Sequence, residues 1–213
     1  MIQKKKSNLP TFEKEEALYK KGFKNIAGVD EAGRGSLVGP VVAAAAILPE
    51  NFINFGIRDS KIVPENQREK LFEKMIQSGV IIGIGMVNHK EIDKINIFHA
   101  SRKAMMKALS RLPVKPDFVL VDGMSLPSLD IPHEKIIHGD RLVLSIAAAS
   151  IAAKVIRDRI MRKLDFICPG WHLAKNKGYP VSSHISAIKS RGISVFHRLT
   201  YKPVKENLKR EYL

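Results

Sequence analysis

An α/β fold built around a mixed β-sheet is what this 213-residue chain predicts. Three observations carry that expectation. Strand-length apolar runs come first, within residues 26–48, and helix-period segments then alternate with further short apolar runs. The run Val38–Leu48 is small, apolar and unbroken apart from Gly39-Pro40, which is the pattern of a buried strand. Leu142–Leu164 is a long alanine-rich stretch without a breaker, basic in its last turns, and reads as the principal helix.

The elements follow in order. Phe12, Ala17, Leu18 and Tyr19 share one face of a short helix in the preamble. Ile26–Asp30 reads as a strand that stops at the turn Glu31-Ala32-Gly33-Arg34-Gly35. Pro64 is placed at the first position of a helix whose buried face holds Leu71, Phe72, Met75 and Ile76. Gly79–Val87 is a strand in which Gly83 and Gly85 alternate with isoleucines, the mark of a close backbone approach on one face. A helix spans about His89–Leu112, with Ile92, Ile95, Ala104, Met105, Ala108 and Leu109 inward, and Pro113 and Pro116 close it. Asp117–Val121 is a short buried strand ending at Asp122-Gly123, and Glu134–His138 is a candidate strand. Ser182-Ser183 is expected to cap a shorter helix running to Lys189 and ended by Gly192. No internal repeat or low-complexity tract interrupts this order.

Composition narrows the function classes. Hydrophobic residues make up 45% and charged residues 27%, which excludes global disorder. No stretch of about 18 residues is apolar and uncharged, so no membrane span or membrane partner is expected. The basic start, Lys4-Lys5-Lys6, has no apolar segment behind it and does not read as a secretory signal. A single cysteine, Cys168, fits a reducing, cytoplasmic setting. The formal net charge is +15, unevenly spread. Residues 154–213 hold 14 Lys and Arg against 4 Asp and Glu, whereas residues 25–153 hold 15 against 14. A basic pole on a near-neutral body points to a polyanionic partner. The chain is expected to divide into a preamble (1–24), a core (25–165) and a basic C-terminal helical region (166–213) suited to that partner.

Against that basic background, the acids at strand ends are conspicuous. Asp30-Glu31 closes one strand, Asp122 closes another, and Asp140 precedes the long helix. Hard divalent cations take oxygen ligands, and a pair of them about 4 Å apart can activate water and stabilise the leaving oxygen of a phosphodiester. Each acid also has a simpler use. Asp30 and Asp122 suit turns that end strands, Glu31 a solvated surface, and Asp140 the N-cap of the long helix. Asp158, set among Arg157, Arg159 and Arg162, reads as one member of a structural ion pair.

The segment Ala27-Gly28-Val29-Asp30-Glu31-Ala32-Gly33-Arg34-Gly35, with Gly39-Pro40-Val41-Val42-Ala43-Ala44, resembles the signature of the ribonuclease HII family. Asp59-Ser60-Lys61, Val121-Asp122-Gly123, and Gly139-Asp140 followed by Ser145–Val155 and Arg157-Asp158 agree with that family in order. So do Asn176–Pro180, His184 and His197-Arg198, and the resemblance covers about residues 25–203. Ser36 stands where many relatives have Pro, and Leu199-Thr200-Tyr201 follows His197-Arg198 where Ser-Phe is common.

The resemblance implies a ribonuclease-H-like fold. It implies that Asp30, Glu31, Asp122 and Asp140 are the catalytic carboxylates and hold two Mg²⁺ or Mn²⁺ ions. It also implies that Gly33, Arg34 and Gly35 contact the 2′-hydroxyl largely through backbone groups, and that Tyr179 packs on the sugar at the RNA–DNA junction. The substrates implied are RNA–DNA hybrids and single ribonucleotides embedded in duplex DNA. They are cut 5′ to the ribonucleotide to leave 5′-phosphate and 3′-hydroxyl ends, in the service of ribonucleotide excision repair. A monomer is expected, and the sequence identifies no protein partner. Two rival readings are a ribonuclease HIII-type nuclease and a non-catalytic nucleic-acid-binding module on the same fold. About 24 residues before the core are too few for the N-terminal domain of the first, and the second would have lost one of the four acids.

Overall fold

The structure, a computed structural model, describes residues 9–210, with side chains described through residue 208. The start of the preamble, residues 1–8, and the end of the basic region lie outside that range. Five strands form the sheet: β1 (Ile26–Ala32), β2 (Val41–Ile47), β3 (Ile81–Val87), β4 (Phe118–Asp122) and β5 (His133–Ile136). Among the described residues, eight helices accompany them: α1 (Glu13–Tyr19), α2 (Glu65–Gln77), α3 (His89–Ser110), α4 (Gly139–Leu142), α5 (Leu144–Ile167), α6 (Leu173–Asn176), α7 (Ser182–Arg191) and α8 (Lys202–Arg210).

The sheet order is β3-β2-β1-β4-β5. The first three strands form an antiparallel meander, with Val29 opposite Ala45 and Ala45 opposite Gly83. β4 and β5 join β1 in parallel, with Val29 opposite Val121 and Val121 opposite Lys135. The sheet is therefore mixed, as the order of elements predicts. A loop joins β1 to β2, α2 lies between β2 and β3, α3 carries the chain from β3 across to β4, and a helix-free segment joins β4 to β5.

Period-two alternation divides the core. Ala43, Ala45 and Ile47 face α3, and Ala44, Ala46 and Leu48 face α5 and α2. β2 is buried at every position because both faces are covered. Small residues let the layers close tightly. A Cβ on Gly83 would sit 2.2 Å from Ala108 O, and one on Gly85 would sit 2.1 Å from Ala104 O, so α3 rests directly on β3.

Several boundaries differ from the sequence expectation. β2 begins at Val41 because Gly39-Pro40 belongs to a loop, and Val38 instead forms an isolated bridge to His197. Pro64 is the N-cap of α2 rather than its first helical residue, its carbonyl taking the Arg68 amide at 2.9 Å. Ile76 is half exposed, whereas Arg68 occupies the inward face beside Met75, paired with Asp158. α3 is broken at Asn96 (φ 61), whose Oδ1 accepts the Phe98 amide at 2.9 Å and the His99 amide at 3.2 Å, so one helical pattern holds two helices. Ser182 and Ser183 lie inside α7, and Val181 is its N-cap, with no side-chain cap.

The long C-terminal helix also starts differently. It is two pieces, α4 and α5, separated at the extended residue Val143. Asp140 does not cap α5. The carboxylate at that N-terminus belongs to Glu15 of α1, whose Oε1 accepts the Ser145 amide at 2.8 Å while 1% exposed. Thr11 pairs with Val143 and exchanges backbone bonds with Leu142 and Leu144, so residues 9–19 are stitched to the start of α5. A carboxylate there satisfies an orphan amide and complements the helix dipole. Glu15→Ala is expected to cost about 1–2 kcal/mol of unfolding free energy, measured by chemical denaturation, and Glu15→Gln less, since it keeps the acceptor.

The C-terminal helices enclose a second small core of Leu37, Val38, Met161, Leu173, Ile188 and Val204. Beside it lies His197, whose Nδ1 accepts the Ser194 amide at 2.8 Å and whose ring meets His184 and Trp171. Burial first, and then the neighbouring His184, lower its pKa from 6.5 to about 4. Folding thus selects the neutral ring. Between about pH 6.5 and 4 the unfolded chain binds the proton and the folded chain does not, so the stability held by the neutral ring is lost as pH falls through that window. His197→Gln removes this linkage. Its stability deficit relative to wild type is expected to narrow by about 2 kcal/mol between pH 7 and pH 4.5 in parallel denaturation curves.

Candidate active site

β1, β4 and β5 run parallel, so their carboxyl ends open on one side of the sheet. Asp30 and Asp122 follow the paired row Val29–Val121 by one residue on neighbouring strands. Asp140 arrives from α4, immediately after β5, because Gly139 N donates to Asp122 Oδ1 at 2.6 Å and pins that turn to β4. Glu31 follows Asp30 and gives its amide to Asp30 Oδ1 at 2.7 Å. The four acids named from the sequence therefore share the end of three strands. Among the described residues, no three His, Cys, Asp or Glu side chains close on one point as a finished metal cage.

The electrostatics of this end are strained. Burial, and then Glu31 and Asp122, raise the Asp30 carboxyl well above its ordinary range. Glu31 is raised to about 7, chiefly by burial, with Arg34 opposing and Asp122 adding to the rise. Asp122 is raised by burial and by Asp140. Glu31 Oε2 is buried without a hydrogen-bond partner. Positive charge comes from Arg34, 3.4 Å from Glu31 Oε1, and from Lys61, 2.7 Å from Asp140 Oδ2. Crowded, partly unpartnered carboxylates with oxygen-only chemistry are the donor set that hard divalent cations take, so these residues fit such an ion.

Next to the acids runs the loop Gly33–Gly39. Gly33 has φ +97, and a Cβ there would lie 1.9 Å from Arg157 Nε, so glycine is required twice over. Two buried guanidiniums gather the loop's carbonyls. Arg157 donates to Val38 O, Pro40 O and Lys177 O, and Arg198 donates to Gly39 O and Arg34 O. Burial lowers the Arg157 pKa to about 10, which still leaves it a cation at neutral pH. Among the described residues, the amides of Gly33, Arg34 and Gly35 make no hydrogen bond. Tyr179 is half buried at the loop's side, its ring centroid 5.5 Å from Arg157 Cζ, and a Cβ on Gly35 would lie 3.9 Å from its ring edge.

Ser36 and Tyr201 support this loop. Ser36 Oγ donates to Val38 O at 3.0 Å and Lys177 O at 3.3 Å. Tyr201 donates to Arg34 O at 2.7 Å, and Thr200 is held by Asp93. Asp158, as the sequence suggested, is a structural acid, 1% exposed. Its partners are Arg68 at 2.9 Å and Lys154 at 2.5 Å rather than the arginines beside it, two of which, Arg159 and Arg162, reach Glu69 instead.

Sequence reasoning missed Lys61, Arg157, Arg198 and Glu15 as parts of the site and its support. Their signal was present. Arg157 follows an unbroken apolar block, and a long charged side chain at such a position is buried only when its donors are satisfied.

Comparison with known proteins fits this geometry. The family model for Ribonuclease HII matches residues 27–204. The chain belongs to the ribonuclease HII family. Its members include a ribonuclease HII of Acholeplasma laidlawii, 48% identical over 195 residues that cover 92% of this chain and 96% of the relative. Another, from Acetivibrio thermocellus, is 48% identical over 187 residues, 88% of this chain and 73% of the relative. The crystal structure of the ribonuclease H2 from Pyrococcus horikoshii OT3 superposes with a TM-score of 0.72 at 28% identity, over 88% of this chain and 98% of that one. The structure of the Bst ribonuclease HIII in complex with Mn²⁺ shares the fold (TM-score 0.64, 18% identity, 87% of this chain and 70% of that one). A ribonuclease HII is a metal-dependent endoribonuclease, a hydrolase that acts on RNA–DNA hybrids. Membership replaces both rival readings, the ribonuclease HIII type and the non-catalytic module. No helix of the described residues is long and apolar enough to cross a membrane.

Proposed function

We propose that this chain cuts the phosphodiester on the 5′ side of a ribonucleotide, in RNA–DNA hybrids and at single ribonucleotides within duplex DNA, leaving 5′-phosphate and 3′-hydroxyl ends. The observation that carries this reading is the adjacency of two features: four crowded carboxylates at the strand ends, and a glycine loop with free amides beside them. Asp30, Glu31, Asp122 and Asp140 would hold two divalent ions, Mg²⁺ or Mn²⁺. Bound there, the ions supply the charge that stabilises the attacking and leaving oxygens of an in-line displacement.

The chain's own residues do the rest. Gly33, Arg34 and Gly35 offer backbone donors to a 2′-hydroxyl, the group that distinguishes RNA from DNA at one position. Arg157 and Arg198 hold the loop's carbonyls inward, which fixes where those donors lie. Tyr179 packs on the junction sugar and keeps the scissile phosphate in register. The basic region 166–213 engages the phosphate backbone outside the cut. This activity removes ribonucleotides from the genome and belongs in the cytoplasm.

Two measurements test the assignment. Asp30→Asn keeps shape and loses charge, so cleavage of a hybrid in saturating Mg²⁺ is expected to fall at least about a hundredfold while hybrid binding persists. Retention of more than about a tenth of the rate would remove Asp30 from the catalytic set. Tyr179→Ala is expected to leave Mn²⁺ affinity unchanged and to slow cleavage at a single embedded ribonucleotide by about a hundredfold. A continuous hybrid offers many registers and should suffer less, and Tyr179→Phe should retain more activity than Ala on both. Equal slowing of both substrates would return Tyr179 to a structural role.

A further inference from the structure

The Asp59-Ser60-Lys61 loop borders the acid centre and touches it through Lys61. Asp59 Oδ1 accepts the Lys61 amide at 2.9 Å, and its Oδ2 pairs with Arg141 Nε at 3.1 Å. Ser60 Oγ meets Ser150 Oγ at 2.9 Å on α5, beside Asp30, and its carbonyl takes Arg68 at 3.0 Å. Lys61 Nζ then pairs with Asp140 Oδ2 at 2.7 Å. The loop is thus anchored before Lys61 at Asp59 and Ser60 and after it at Val63, whose carbonyl also takes Arg68, while the long Lys61 side chain extends from it.

The ion pair is lopsided. The Asp140 side chain is 3% exposed and that of Lys61 is 67% exposed, so the ammonium reaches a buried acid from solvent. Burial works to lower the Lys61 pKa, but Asp140, Asp30 and Asp59 together raise it, which places its charge in the field of the whole cluster. That oxygen belongs to a carboxylate that would hold a metal ion. A pair with one solvated partner is weak, and a doubly charged ion that makes several carboxylate contacts outcompetes it. Once such an ion is in place, the ammonium is repelled toward solvent, on the side from which a phosphate chain must approach.

We propose that Lys61 is a displaceable counter-ion: it holds Asp140 until a divalent cation takes that carboxylate, and it is then released to a phosphate of the bound nucleic acid. This rests on the reading that Asp30, Glu31, Asp122 and Asp140 hold the ions. The two halves make opposite demands on one residue. Removing the ammonium frees a ligand and so tightens metal binding, yet it deletes a phosphate contact and so weakens substrate binding. A residue that merely braces the fold would move both the same way.

The test measures Mn²⁺ binding by the electron paramagnetic resonance signal of the free ion, and KM for an RNA–DNA hybrid at saturating Mn²⁺. The proteins are wild type, Lys61→Met, Lys61→Gln, Lys61→Arg and Asp30→Asn. Lys61→Met and Lys61→Gln are expected to bind Mn²⁺ about three- to tenfold tighter and to raise KM several-fold, with Lys61→Arg close to wild type on both. Unchanged or weaker Mn²⁺ binding in Met and Gln overturns the proposal, as does an unchanged KM. Failure of both variants to fold, by circular dichroism, overturns it as well, since the pair would then be structural. Equal Mn²⁺ binding by wild type and Asp30→Asn would instead sink the metal-site reading, an outcome that the Lys61 comparison does not produce.

Discussion

The contact of α5 with β1 is the constraint on which the rest of the site depends. The helix lies so close to the strand that a Cβ on Gly28 would sit 2.2 Å from the Ser145 carbonyl carbon. From that point the two elements run side by side. Ser150 lies near Asp30, Arg157 under Gly33, and Met161 against Gly39. One helix thereby serves the acids, the loop and the C-terminal helices in turn. The small buried residues Ala147–Ser150 and Ala152–Ala153 make this possible, since only small residues let a helix ride on a sheet at that distance. Glu15 at the amino end of α5 and the Arg68–Asp158–Lys154 cluster on its flank keep it there.

Two opposite kinds of buried charge sit within this frame. The acids are crowded and under-neutralised, and every one with a resolved shift is displaced upward by burial and by its neighbours. The arginines under the loop are also buried and, among the described residues, meet carbonyls rather than carboxylates. The difference is in how each is satisfied. All three nitrogens of the Arg157 guanidinium find carbonyls, of Val38, Pro40 and Lys177, and of the Arg198 nitrogens only Nη2 is left buried without a partner. Among the acids, Glu31 keeps one buried oxygen without a donor in a crowd of like charge, an arrangement that suits a cation.

Side chains beside the loop support it in the same way. Ser36 ties the backbone by hydrogen bonds to Val38 and Lys177. Tyr201 places a hydroxyl on the Arg34 carbonyl, which Arg198 also holds. These contacts leave the Gly33–Gly35 amides unbound among the described residues.

The sequence by itself determined the mixed α/β class, the buried strands and the acids at the strand ends. These rest on local pattern: alternation in the strands, unbroken small apolar runs, and carboxylates where a strand stops. Gly83 and Gly85 were legible as close approaches because glycine alternating with isoleucine has few other uses. The tertiary structure alone decided which charged group meets which. Glu15 reaches Ser145 across 130 positions, Lys61 reaches Asp140 across 79, and Arg68 reaches Asp158 across 90. No local period encodes such pairings. They follow from the packing of α2 and α5 and from the need to satisfy each buried charge, and that need can be met by any partner the fold brings within reach.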